Sequence, residues 1–363
     1  MSSPPCVVII GAGPAGCAAA LDLARNRVFP LLVEKGPPGK DKACGDAWTP
    51  SAVEELRSLD IGERELGANC RSFSRMDGYY AGRKVWSCDL APSEGLIAPR
   101  AIVDQLLRDR ASAAGCSIWY GARATHLRIR GRQIEVTIKQ GGETRTLAPS
   151  AVILASGSGC RIARDARLDG EPILGASVSA YIPTDGGFDC PILLFGDPTP
   201  GYAWVFPTGA RASNAGVCAI AKSGAALRAE MRALLQRLGV SGGAAPLRGG
   251  LGALWSGKGT VFSHEAGVAS CGDAAGLVDP ISGEGLTAAL VSGKRAGAAI
   301  ASFLSGDSGA LVEYSRWVRD WAQARYAPSI ESRIFAAWVG FAPAERRLWA
   351  LLAGASSGET APV

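Results

Sequence analysis

Four short runs are apolar or, in the last, apolar but for one serine: Cys6–Ile10, Leu31–Val33, Ala151–Ala155 and Ala266–Cys271. None alternates between apolar and polar positions, which is how strands read when helices cover both faces of a parallel sheet. Elsewhere a period of two prevails. Three alternating segments between Cys116 and Leu147, turning at Gly131-Arg132 and Gly141-Gly142, predict a β-meander, and residues 72–90 predict a hairpin turning at Gly82-Arg83. Segments near 173–182, 191–196, 202–207 and 214–221, with Pro and Gly between them, predict an antiparallel sheet. Helical spacing places an alanine-rich helix up to about Arg27 and a helix opened by Pro99-Arg100, with Ile102, Val103, Leu106 and Leu107 on its apolar side. Ser51 and Glu54 predict a capping box for a helix ending near Leu59. Further helices are expected near 224–238, 284–305, 308–325 and 328–352.

This order of elements predicts an α/β fold. A Rossmann-like domain (parallel sheet with a β-meander insertion) is expected over residues 1–165 and 248–306, with an antiparallel-sheet substrate domain over 166–247. C-terminal helices over 307–354 and a polar tail over 355–363 complete the expected organisation. A length of 363 residues, 47% hydrophobic and 20% charged, suits a globular enzyme. The net charge of +5 is spread along the chain without basic blocks, so nucleic-acid binding is not expected. No apolar run approaches the roughly twenty residues of a membrane span. The chain passes from Met1-Ser-Ser-Pro-Pro straight into a strand, so a signal peptide is not expected. Ten scattered cysteines without a C-x-x-C pair, and only two histidines, His126 and His264, argue against a metal site and suit a reducing cytoplasm.

The chemistry-bearing motifs sit at strand ends. Gly11, Gly13 and Gly16 follow the first apolar run in a G-x-G-x-x-G pattern, Ala15 lies inside it, and Glu34-Lys35 closes the second run. Such glycines permit a tight turn, backbone approach to a pyrophosphate and close helix–strand packing, while the terminal acid receives ribose hydroxyls. Glu34 favours a free ribose diol over a 2′-phosphate. Residues 271–286 form a second strand–loop–helix unit. Gly272-Asp273 ends the strand, Pro280 and Gly283-Glu284-Gly285 form the loop, and Leu286 enters the helix. Free N–H groups and a positive dipole end there suit an electron-rich ring that forms an anion, and Asp273 suits a polyol chain. A flavin has both features.

With these motifs in place the sequence resembles the geranylgeranyl reductase-like branch of the FAD-dependent oxidoreductases that share the aromatic-hydroxylase (group A flavoprotein monooxygenase) fold. Four separated motifs carry the likeness: Gly11–Gly16 with Glu34, Cys44-Gly45-Asp46, the aromatic strand Gly201–Pro207, and Gly272–Leu286. The resemblance implies FAD as cofactor, with Arg100 reaching it from the start of its helix and Cys44-Gly45 near the flavin. Tyr202, Trp204 and Phe206, together with Trp48, are implied to line the substrate cavity. Ordinary sheet core is the competing reading for Trp204 and Phe206, and plain packing for Trp48 and Trp255. Cys44 and Asp46 are candidate catalytic residues in a proton relay, although a lone cysteine is more commonly a small buried hydrophobe.

Where the wider group carries Asp-Gly after the strand at 151–155, this chain has Ser156-Gly157, so direct reduction by NADH or NADPH is expected to be inefficient and a reductase partner is an alternative donor. The first expectation for activity is a monooxygenase that hydroxylates or epoxidises an apolar or aromatic small molecule through a flavin C4a-hydroperoxide. The alternative is an FAD-dependent reductase of C=C bonds in a prenyl chain. Halogenation, and maturation of a protein-borne side chain, complete the range.

Overall fold

The computed structural model describes residues 6–326, apart from 81, 160, 163–172, 185–187, 197–200, 221–222, 241–245 and 258–262. The expected helix at 328–352 and the polar tail lie outside the described residues.

Four of the apolar runs meet in one six-stranded sheet. Its order is Ser263–His264, Val268–Ser270, Ala151–Leu154, Val7–Ile10, Leu31–Val33 and Ser117–Trp119. The inner pairings are parallel, with Val8 opposite Val152 on one side and Leu31 on the other, and only the Ser263–His264 edge runs antiparallel. All four residues of Val7–Ile10 and of Ala151–Leu154 are buried, as continuous apolar strands covered on both faces require. One face is covered by the helices Pro14–Arg25, Arg100–Ala113 and Leu286–Leu304. Pro14–Arg25 and Leu286–Leu304 lie unusually close: a Cβ on Gly293 would stand 2.3 Å from the Ala15 carbonyl oxygen, so only glycine fits there. The meander Ala122–Arg130, Gln133–Gln140 and Glu143–Leu147 covers the opposite face through Ile134, Val136 and Ile138.

A second sheet has seven strands, ordered Arg248–Leu254, Ile173–Pro183, Ala212–Ile220, Gly201–Gly209, Ile192–Phe195, Arg75–Tyr80 and Arg83–Asp89. Its pairings are antiparallel except for Ile192–Phe195 against Arg75–Tyr80. The sheet thus draws strands from outside residues 166–247, taking in the hairpin near 75–89 and the strand at 248–254. Helix Gly224–Arg237 packs Leu227, Met231 and Leu234 on one face, against Val178, Ala180, Val205 and Val217. The opposite face carries Leu193, Trp204 and Phe206, which meet Phe73, Met76 and Ile97.

One local expectation changes. The helix at Pro50–Arg57 is capped by Thr49, whose hydroxyl accepts the Ala52 N–H at 3.4 Å, and not by Ser51. Pro50 explains the shift, since its fixed φ and missing N–H suit the first helical position and leave the cap to the residue before it. The C-terminal part of the described chain ends in helix Ala310–Tyr326, whose Tyr314 and Tyr326 hydroxyls donate to the carbonyls of Ser270 and Leu277 behind the second motif.

Candidate active site

The first strand delivers the chain into Gly11 at φ 107°, where a Cβ would lie 2.3 Å from the Ala155 carbonyl oxygen. A Cβ on Gly16 would lie 2.0 Å from the Gly11 carbonyl oxygen, making Gly16 a packing position. Gly13 differs. It is the N-cap of helix Pro14–Arg25, it makes no side-chain cap, and the space around its missing Cβ is open, so bare backbone faces the cavity at a helix N-terminus. Glu34 folds back on this loop, accepting the Ala12 N–H at 3.0 Å and the Gly36 N–H at 2.7 Å. Its oxygens keep further lone pairs for hydroxyl donors.

Helix Arg100–Ala113 stands beside the loop and buries a charged stripe at i, i+4, i+8: Arg100, Asp104 and Arg108. The Arg100 fork is held by Asp104, Nε to Oδ1 at 2.8 Å and Nη2 to Oδ2 at 3.0 Å, and its guanidinium lies 5.9 Å from the Trp48 ring centre. Burial works against the Arg100 charge, but the Asp104 carboxylate together with the Cys44 side chain outweighs it and raises the pKa of the group. Arg108 donates from Nε to the Ala12 carbonyl at 3.0 Å.

At the other motif Asp273 receives the Lys42 ammonium at 3.1 Å and the Ser158 hydroxyl at 3.0 Å on the same carboxylate oxygen. Burial would raise its pKa, yet Lys42 and Ser158 outweigh burial and hold Asp273 below the ordinary carboxylate range. Ser158 also accepts the Ala253 N–H at 2.8 Å, tying the carboxylate to the strand Arg248–Leu254. Gly283 sits at φ 67°, and Gly285 is the N-cap of helix Leu286–Leu304, with no side chain to block the approach of a ring. Glu284 Oε1 accepts the Thr287 N–H at 2.7 Å within the first turn. Gly272 turns its N–H inward instead, to the Ser292 hydroxyl at 2.9 Å.

Opposite this turn lies an apolar wall. Tyr202, Trp204 and Phe206 project from one face of their strand, with ring centres 6.2 Å apart at each step. Glycines make room for them: a Cβ on Gly216 would stand 2.2 Å from the Trp204 ring, and one on Gly45 would stand 2.8 Å from Phe206. The Tyr202 hydroxyl donates to the Ser282 carbonyl, joining the wall to the second motif, and burial raises its pKa. Trp204 Nε1 donates to Asn214 Oδ1 at 3.1 Å.

The Cys44-Gly45-Asp46 turn separates its two candidate catalytic groups. Cys44 lines the cavity, and burial pushes its thiol above the ordinary value against the pull of the Arg100 guanidinium. Asp46 is fully buried at φ 62°. One of its oxygens accepts the Arg100 N–H at 3.0 Å, and the other accepts the Tyr181 hydroxyl and the Asn214 amide, each at 2.6 Å. Burial raises its pKa against these donors. Asn214 also donates to the Cys44 carbonyl at 2.8 Å, so Asp46 fixes the turn from behind.

All these walls enclose one cavity of about 1210 Å³. It gathers Gly11, Gly13, Ala15, Glu34, Lys35, Cys44, Gly45 and Arg100 with Asp273, Pro280, Gly283, Glu284, Gly285 and Leu286, and adds Tyr202, Trp204 and Phe206. Four expected site residues do not line it. Gly16 and Gly272 pack and bond inward, and Asp46 is enclosed by its donors. Trp48 is fully buried in the helical core with Nε1 on the Ala98 carbonyl at 3.0 Å, so it supports the site without reaching substrate space. Sequence reasoning missed Lys42, Ser158 and Arg108. The Ser156-Gly-Ser-Gly run at a strand end was a usable signal for Ser158, and the eight-residue, two-turn spacing from Arg100 one for Arg108; Lys42 in its loop carried none.

The residues suit FAD. A bare glycine loop at a helix N-terminus and a buried arginine whose Nη1 has no partner match a dinucleotide diphosphate. A carboxylate beside a glycine turn that lines the cavity matches a ribityl chain and ring. Residues 6–177 match the FAD binding domain family. The chain is 30% identical over 344 residues to menaquinone reductase of Mycolicibacterium smegmatis, a match that spans 88% of this chain and 81% of that protein. It is 28% identical over 335 residues to digeranylgeranylglycerophospholipid reductase of Methanocella arvoryzae, spanning 86% and 82%. A solved geranylgeranyl bacteriochlorophyll reductase-like protein from Thermoplasma acidophilum has the same fold, with a TM-score of 0.78 at 23% identity over 92% of this chain and 86% of that one. This chain is an FAD-dependent oxidoreductase and belongs to the FAD-binding flavoprotein family that includes the menaquinone and geranylgeranyl reductases.

Proposed function

We propose that this enzyme reduces carbon–carbon double bonds in a prenyl chain. The observation that carries the reading is the apolar wall of Phe73, Met76, Leu193, Phe195, Trp204 and Phe206, continuous with the FAD-binding loops in one cavity. The cavity, about 1210 Å³, runs on from the FAD-binding loops along this apolar wall, where an apolar chain would lie. The named relatives at 30% and 28% identity act on prenyl quinones and prenyl lipids, and this ranks reduction ahead of hydroxylation or epoxidation.

Bound FAD supplies hydride chemistry in its reduced state. The protein orients and protects it. Asp273, fixed by Lys42 and Ser158, holds the polyol end, while the Gly283–Gly285 turn presents backbone to the ring. The aromatic strand excludes water and lays an unsaturated chain against that turn. Double-bond reduction also consumes a proton. The Cys44 thiol, held protonated by burial within the wall, is the residue proposed to deliver it, and Asp46 is proposed as its positioning residue through Asn214 and the Cys44 carbonyl.

The test is anaerobic incubation of the reduced, FAD-loaded protein with a prenyl quinone, followed by mass spectrometry. A gain of two hydrogens on the prenyl chain is expected. Product formation that requires oxygen and adds an oxygen atom, or unchanged prenyl quinone, overturns the reading. Running the reaction with NADH, with NADPH and with a reductase partner identifies the donor.

A further inference from the structure

We infer that Arg108 is an anion-binding residue for the diphosphate in the ADP half of FAD. The inference rests on the FAD assignment and goes beyond it to a residue outside the fingerprint motifs. Arg108 is only 4% exposed. Its one hydrogen-bond partner among the described residues is the Ala12 carbonyl, and Nη1 is buried without any partner. Asp104, one turn earlier on the same helix face, commits both oxygens to Arg100 at 2.8 and 3.0 Å. The arginine that sequence comparison points to is therefore neutralised within the protein, and the one two turns further along is not.

A guanidinium cannot shed its proton to escape burial, so a buried one requires a counter-charge. The surroundings specify what supplies it. Arg108 and Glu34 hold the two successive peptide units that meet at Ala12, Arg108 on the Ala12 carbonyl and Glu34 on the Ala12 N–H. Next to that residue, Gly13 opens the N-terminus of helix Pro14–Arg25, and Gly13, Pro14, Glu34 and Arg108 all line the cavity. A diphosphate placed over the Gly13 backbone meets the positive end of the helix and the guanidinium together, with its ribose beside Glu34.

Titrating the FAD-stripped protein with FAD, ADP and riboflavin tests this. Arg108→Met is expected to weaken FAD and ADP by about 10- to 100-fold, the span of a lost charge-assisted hydrogen bond, while riboflavin, which lacks the diphosphate, binds as before. The unliganded variant is expected to melt no lower than wild type, because an uncompensated buried charge has been removed. Should the methionine variant not fold, Arg108→Gln keeps a donor for the Ala12 carbonyl and is read the same way. Wild-type affinity for FAD and ADP in the neutral variant overturns the inference. So does an equal loss of affinity for riboflavin and FAD accompanied by a lower unliganded melting temperature, which is the mark of a structural arginine. Wild-type protein that binds neither FAD nor ADP overturns the FAD assignment itself, so the two failures are distinguishable.

Discussion

The two ends of the cavity are built on opposite terms. At the end proposed for the diphosphate the available groups belong to backbone and charge: Gly13 at a helix N-terminus, Glu34 on two N–H groups, and Arg108 on a carbonyl. At the substrate end they are side chains packed on a sheet, Tyr202, Trp204 and Phe206, seated in hollows left by Gly45 and Gly216. The first kind of site is set by where the chain may turn, and tolerates change in the side chains around it. The second is set by volume, so a single added methyl group reshapes it.

Asp273 sits at the junction, and the sharpest separation of the two ends comes from Asp273→Ala. It leaves the Lys42 ammonium without its carboxylate partner and the ribityl chain without an acceptor. FAD affinity is expected to fall by about 10- to 100-fold, as a lost charged hydrogen bond implies, with the far-ultraviolet circular dichroism unchanged. Equal FAD occupancy in mutant and wild type removes Asp273 from the cofactor end.

Gly216→Ala is the complementary substitution. Its Cβ would stand 2.2 Å from the Trp204 ring, so the ring must shift and break its bond to Asn214. Overpacking of this kind costs about 1–3 kcal/mol of stability. Turnover of a prenyl substrate should fall while FAD affinity holds, measured on one preparation by mass spectrometry and fluorescence titration. Loss of FAD together with turnover would show that the two ends are not separable.

The same contrast explains what could be read from the sequence. Turn-forming glycines and strand-end acids leave a spacing, so Gly11, Gly13, Glu34, Asp273 and Gly283–Gly285 were legible, as were the strands and helices that carry them. Side-chain contact across sheets leaves none. Trp48 and Trp204 are both tryptophans beside apolar neighbours, yet Trp48 points into the helical core and Trp204 into the cavity. Asp46 lies two residues from Cys44 but faces the second sheet, where Tyr181 and Asn214, more than 130 residues away in sequence, enclose it. The hairpin near 75–89 and the strand near 191–196 were each legible, while the parallel pairing of Arg75–Tyr80 with Ile192–Phe195 was not, because a pairing between distant segments has no local signature.

The smallest expected effect is one of pH, at Glu284→Gln in the loop between the two ends. Burial lifts the Glu284 carboxyl above its ordinary value, with the Thr287 N–H and the Arg325 charge pulling it back only in part. The folded chain then holds this proton more tightly than the unfolded chain does. The side chain's contribution to stability is thus fully present below the ordinary glutamate pKa and is lost as pH rises through the raised one. Glutamine keeps an oxygen for the Thr287 N–H and has nothing to titrate, so the variant isolates this contribution. In unliganded protein, the melting temperature of wild type minus that of Glu284→Gln should decline steadily as pH rises above the ordinary glutamate range, because only wild type must ionise this desolvated acid. A difference that grows with pH would mean that the loop holds Glu284 as a stabilised carboxylate. The negative charge of the cavity would then sit on the protein at the flavin end, and the positive helix terminus there would already be compensated before any cofactor arrives.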